Sequence, residues 1–147
     1  MKQLFLAVSA QLATVPAIKW IDMDKGQTDN AELRVALKFP SALIKISFPN
    51  PEELGGGNQQ VKATVQIRLV FDAVNSRTSK NTPDTPLNRS LEYLSTADEV
   101  YMALQAYETP TYERFIRTSQ EQENRSDGMA IVRLIFTTEF GDYRKSL

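Results

Sequence analysis

The sequence predicts an α+β fold: a mostly antiparallel or mixed β-sheet with an N-terminal helix and a second helix packed mainly on one face. Three observations lead there. Val61 to Leu69 alternates apolar and polar residues before Val70 and Phe71, and the stretch GMAIVRLIFTTEF beginning at Gly128 has strand character with one face apolar through most of its length. Two other stretches, around Leu4 and around Leu94, repeat their apolar residues at helical spacing. A sheet with one apolar face has to be covered, and two amphipathic helices can cover it. The length of 147 residues suits one domain spanning 1–147, with enough chain to bury a core without disulfide or metal staples.

Leu4, Phe5, Val8, Leu12 and Val15 form the apolar stripe of a helix expected to end before Pro16. The apolar run from Leu4 to Val8 is short for a signal peptide, with Gln3 and Gln11 beside it, so the segment reads as a packed helix. Ala17 to Met23 has the aromatic and β-branched content of a short strand. It runs into DKGQTDN, and the whole stretch WIDMDKGQTDN raises the question of a metal site. A calcium loop places glycine sixth and a bidentate glutamate twelfth. With Asp22 as first ligand, Gly26 falls fifth and Leu33 twelfth, so the expectation is a strand turning on Asp and Gly, not a metal ligand set.

Ala42 to Phe48 reads as a strand with Ala42, Ile44, Ile46 and Phe48 on one face, preceded by Pro40 and ended by Pro49 and Pro51. PNPEELGGGNQQ then reads as a flexible connection with Gly55 to Gly57 at a hairpin tip; no GK[ST] follows to make it a phosphate loop. Val61 to Phe71 is a long strand with one solvated face, paired to the preceding strand. Asn75 to Asn88, rich in Ser, Thr, Asn and Pro, reads as an exposed loop. Leu91, Leu94, Ala97, Val100, Tyr101 and Leu104 keep helical spacing, and Thr96 with Glu99 matches a capping box, so one long helix or two consecutive ones both fit. Tyr112 to Arg117 alternates as a strand and QEQENRSDG reads as a polar turn. The last strand puts Ala130, Val132, Leu134, Phe136, Thr138 and Phe140 on one face and Met129, Ile131, Arg133 and Ile135 on the other.

Composition removes much chemistry. The 17 basic and 18 acidic residues nearly cancel and are not segregated, so no footprint for sequence-specific nucleic-acid binding stands out. Without histidine or cysteine there is no imidazole base, no Ser-His-Asp arrangement and no thiolate nucleophile or zinc ligand. No stretch is apolar for long enough to span a membrane. The expectation is therefore a protein that is not an enzyme, takes no cofactor or metal and does not enter a membrane. An enzyme built on Asp22, Asp24 or Glu99 has no supporting spacing. The competing binding hypothesis is a monomeric small-ligand module with an apolar site near Trp20, Tyr93, Tyr101 and Phe115, against which stands the ordinary use of such aromatics as core.

The ordered layout resembles phage tail terminator or tail-completion (neck) proteins. The resemblance is carried by LFLAVSAQLATVPAIKWIDMDKGQ, the Pro-led strand FPSALIKISF, the long alternating strand, the following helix, and the pair TYERFIRTSQ and DGMAIVRLIFTTEF. It spans most of the chain; the Asn75 to Asn88 loop and the GGG connection depart from it. It implies a structural virion-assembly protein of a phage or prophage: a homo-oligomeric ring, commonly a hexamer, that caps the tail tube and stops its growth. Its implied partners are itself, the tail-tube protein and the head-tail connector protein, and its implied location is the virion tail or neck after assembly in the bacterial host cytoplasm. Ring closure needs heterologous contacts, for which Glu52, Glu53, Arg77, Lys80 and Arg89 on connecting segments are the interface residues to examine.

Overall fold

The computed structural model describes residues 1–73 and 77–143, so Asn75 and Ser76 of the expected loop lie outside the described residues. Helix α1 (Lys2–Leu12) buries Leu4, Val8 and Leu12, one residue per turn on a single stripe. Strand β1 (Trp20–Met23) leads into a turn at Gly26, whose φ of 79° is the left-handed region that glycine adopts without a Cβ clash. A 3-10 turn (Gln27–Asp29) and a short helix α2 (Ala31–Arg34) follow. The sequence reading missed α2, although Asn30 caps it by accepting hydrogen bonds from the backbone N–H groups of Glu32 and Leu33.

The remaining elements are β2 (Ser41–Ser47), β3 (Glu52–Gly55), β4 (Asn58–Asp72), α3 (Asp84–Leu104), β5 (Ile116–Glu123) and β6 (Met129–Asp142). The sheet runs β1-β2-β4-β6-β5, with β3 paired to β4 beside that path. Only β1 and β2 pair in parallel; β2 with β4, β3 with β4, β4 with β6 and β5 with β6 are antiparallel. The expected α+β class, with a mixed sheet and an N-terminal helix, is what forms.

One sheet face carries the main core. Val61, Ala63, Val65, Ile67, Leu69 and Phe71 of β4 and Val132, Leu134 and Phe136 of β6 pack with the buried stripe of α1 and with Ala97, Val100 and Leu104 of α3. The long helix is continuous: the Thr96 hydroxyl donates back to the Glu92 carbonyl, 3.3 Å away, instead of capping a second helix. Where the alternating face ends, the Thr138 hydroxyl satisfies the Glu113 carbonyl and Phe140 packs edge-on to Phe48 and Tyr112.

Four expectations need correction. The supposed Asn75 to Asn88 loop is helical from Asp84, because Pro86 falls in the first turn, where its missing N–H and fixed φ do no harm. Tyr112 to Phe115 are not strand: Tyr112 and Phe115 both turn into the core, and a loop is closed by Phe115 N–H to the Tyr107 carbonyl and Ala106 N–H to the Phe115 carbonyl, each 2.8 Å. Gln120 to Glu123 of the supposed polar turn belong to β5, an edge strand whose carboxylates meet arginines instead of a core. The second face of β4 is not solvated throughout, since Arg68 and Val70 are buried there. That end is covered by a smaller cluster of Leu37, Leu43, Val70, Met129 and Ile131, with Trp20 and Phe39 against it.

The two leucines Leu12 and Leu6 test the placement of α1. Leu12 is fully buried, whereas Leu6 on the same helix is 49% exposed. Leu12→Ala is expected to lower unfolding free energy by about 2–5 kcal/mol in denaturant titrations, and Leu6→Ala by under about 0.5 kcal/mol. Equal effects would contradict the observed helix orientation.

Candidate assembly surfaces

The structure divides the five interface residues chosen from sequence into two groups. Glu52 and Glu53 lie exposed on β3, and a Glu53 carboxylate oxygen accepts the Gly55 N–H at 3.1 Å. Gly55, Gly56 and Gly57 turn the chain back with φ of 98°, 64° and 81°, so the hairpin tip depends on residues without a Cβ. Leu54, 52% exposed, sits between the glutamates and this tip. The hairpin belongs to an arm. Strand β2 pairs with β4 only as far as Thr64, and β5 pairs with β6 only as far as Thr137. Beyond those rows β4 and β6 continue to Gln59 and Asp142, flanked by β3 on the β4 side and, as far as Glu139, by the Glu113 backbone on the β6 side.

Arg77, Lys80 and Arg89 are exposed at the opposite end of β4. The Arg77 backbone N–H donates to Ser90 Oγ at 2.9 Å, tying the approach segment to α3. Arg89 stands beside a cavity of about 490 Å³ between the start of α3 and the sheet, lined by Ala17, Pro40, Phe71, Asp72, Ala73, Ser90, Glu92, Tyr93 and Thr96 as well. Glu52 and Glu53 sit opposite Gln60 and Gln59, so along β4 to Asp72 the two groups are separated by about 40 Å. No single interface of one chain brings them together.

Sequence reasoning missed a third feature, an arginine network on the sheet face opposite α1 and α3. Arg68 on β4 makes a bidentate pair with Glu123 on β5, Nε to Oε1 at 2.9 Å and Nη2 to Oε2 at 2.7 Å. Its Nη1 donates to the Thr28 hydroxyl at 2.9 Å and lies 3.5 Å from Asp24. Burial alone would lower the Arg68 pKa, but the Glu123 hydrogen bonds and charge outweigh it and raise it. Thr28 is the hub, because Arg125 and Arg34 also donate to its carbonyl oxygen. Arg125 further pairs with Asp29 at 2.7 Å and Asp127 at 2.6 Å, and these bonds raise its own pKa. The only sequence signal was the recurrence of unpaired-looking charges in β4, β5 and the turn after it.

This network answers the question posed by WIDMDKGQTDN. Asp22 accepts the Met23 N–H at 2.8 Å and meets Lys25, while Asp24 accepts the Gly26 N–H at 3.0 Å and meets Arg68. The carboxylates build the expected strand-to-turn geometry and its attachment to β4. Glu99 lies apart from them, on α3 beside a shallow groove with Val15, Pro16 and Met102. The four aromatics of the ligand hypothesis also separate. Phe115 is core against Tyr107, and Tyr101 carries the Arg117 guanidinium 3.8 Å over its ring. Tyr93 packs on Phe71 at the 490 Å³ cavity, and Trp20 belongs to the small cluster on the other sheet face.

No family model matches the sequence, and no curated protein matches it. The fold is similar to that of a chain in a solved structure described as "Virion of native gene transfer agent (GTA) particle", with a TM-score of 0.57 at 11% sequence identity. The superposition covers 95% of this chain and 95% of that one, so the likeness is of the whole fold.

Three outcomes test these contacts. Glu123→Ala strips Arg68 of its bidentate partner and is expected to lower stability by about 2–4 kcal/mol, measured by denaturant unfolding, because a largely buried guanidinium is left with weaker company. The Arg125 hydrogen bonds hold the Asp29 and Asp127 carboxyls below the usual carboxylate range. A depressed folded pKa gives stability that is present above the unfolded value and lost as pH falls through the folded one. Melting temperature should therefore drop below about pH 4, and Asp127→Asn should lower stability at neutral pH while flattening that acid limb. Calorimetric titration with calcium is expected to show no saturable binding that depends on Asp22 and Asp24, as both already serve backbone and cationic partners.

Proposed function

We propose that this chain is a non-enzymatic structural component of a phage-like virion that acts as a tail terminator. Copies of it close into a ring, cap the tail tube, and present a surface to the head-tail connector. The observation that carries this reading is the fold likeness, over nearly the whole of both chains, to a chain of a gene transfer agent virion. The ordered sequence features that resemble tail terminators point the same way. So does the distribution of chemistry. The carboxylates Asp24, Asp29, Glu123 and Asp127 are engaged with arginines that hold the segment after β1 onto the sheet, a use suited to a rigid subunit. Meanwhile Glu52 and Glu53 of the arm and Arg77, Lys80 and Arg89 of the α3 approach are exposed and make no ion pair among the described residues. Such a subunit works in the virion tail or neck, after assembly in a bacterial cytoplasm, with the tail-tube and connector proteins and other copies of itself as partners.

The test mixes the purified protein with tail-tube subunits encoded beside it and images the products. Tubes of limited length carrying this protein at one end are expected. Tubes that assemble normally and never bind it would sink the terminator role.

A further inference from the structure

We infer that the β3–β4 arm of one copy docks its Glu52-Glu53-Leu54 segment onto the α3 approach of a second copy, with Leu54 entering the cavity beside Tyr93. Each side has what the other lacks. From Asn50 to Gln60 the arm carries two glutamates and no basic residue, and Leu54 is a large apolar side chain left half in water. At the far end of the molecule, Arg77, Lys80 and Arg89 are exposed and make no ion pair among the described residues.

The 490 Å³ cavity has Arg89, Phe71 and Tyr93 in its wall, and the hydrogen bond from the Arg77 N–H to Ser90, another wall residue, holds Arg77 next to it. Its lining also includes Asp72 and Glu92, so the cavity itself is not basic; Arg89 in its wall and Arg77 beside Ser90 are the cations that glutamates flanking an inserted leucine would meet, with Lys80 on the same approach segment. Exposed pairs of this kind add little energy singly but fix register and exclude wrong partners. Burial of Leu54 supplies the apolar contribution.

The separation of about 40 Å along β4 makes the contact necessarily one between copies. A patch at one end meeting a different patch at the other is heterologous, so it closes into a ring if the rotation between copies allows and otherwise propagates. The inference rests on the ring reading only for its biological use; the contact itself is testable alone.

The chain has no cysteine, which makes disulfide trapping clean. In a Leu54→Cys, Glu92→Cys double variant, the two thiols are far beyond the roughly 7 Å that one disulfide can bridge between Cα atoms, so any bond joining positions 54 and 92 joins two copies. Oxidation at high protein concentration is expected to give a ladder of linked multimers, whereas each single-cysteine variant stops at dimers. Adding Glu52→Lys and Glu53→Lys should cut the yield about tenfold, and adding Arg77→Glu, Lys80→Glu and Arg89→Glu to that variant should restore it.

A yield no greater than the single-cysteine controls, or one indifferent to the charge reversals, would overturn the docking. An anilinonaphthalene sulfonate dye that fills the cavity with no cross-link would assign it to a small ligand instead. Cross-links in a protein that never caps tubes would leave the docking standing and remove the terminator role. Tubes capped equally well by the doubly reversed arm, with no cross-link between positions 54 and 92, would do the opposite.

Discussion

Everything else in this fold follows from the pairing of β4 with β6, which holds a single antiparallel register from Gln59 opposite Asp142 to Asp72 opposite Met129. Because side chains alternate across a sheet, that one register decides which residues of both strands meet α1 and α3 and which face away. It places Val65 beside Phe136 and Ile67 beside Leu134 in the main core. The same register sets Arg68 directly opposite Arg133, a like-charge pair that is unfavourable unless anions intervene. Glu121 and Glu123 on β5 and Asp24 after β1 supply them. The acidic edge strand and the segment bridging β1 to β2 are thus consequences of the central pair.

The long, strongly periodic elements were legible in the sequence because burial on one face imposes a period on the residues themselves. Leu4, Val8 and Leu12 announce α1, and Val61 to Phe71 announces β4. β5 was largely illegible, since an edge strand paired on one side and held by Glu121 and Glu123 needs no apolar alternation. Composition misled at Pro86, where proline marks the first turn of α3 and not a loop. Of the candidate interface, the five charged residues could be picked out as exposed, but their division between two ends could not. That division depends on β4 running 15 residues without interruption. The Thr28 hub was hidden for a related reason: its arginines, Arg34, Arg68 and Arg125, come from three distant parts of the chain.

The central pair also sets the molecule's polarity. It outruns β2 and β5 at one end, leaving the arm with Glu52 and Glu53, and at the other reaches the cavity beside α3 and its cations. A subunit with a rigid sheet and unlike ends is suited to repeating contacts, and the arginine network stiffens the sheet toward its Asp72 end with bonds that need no thick core on the second face. The proposed role is that of a repeating subunit in a tail. Cryo-electron microscopy of purified particles assembled with the protein tagged at its exposed Met1 tests it most directly. One ring of this chain between the tail tube and the connector is expected; complete tailed particles containing no copy of it would rule the role out.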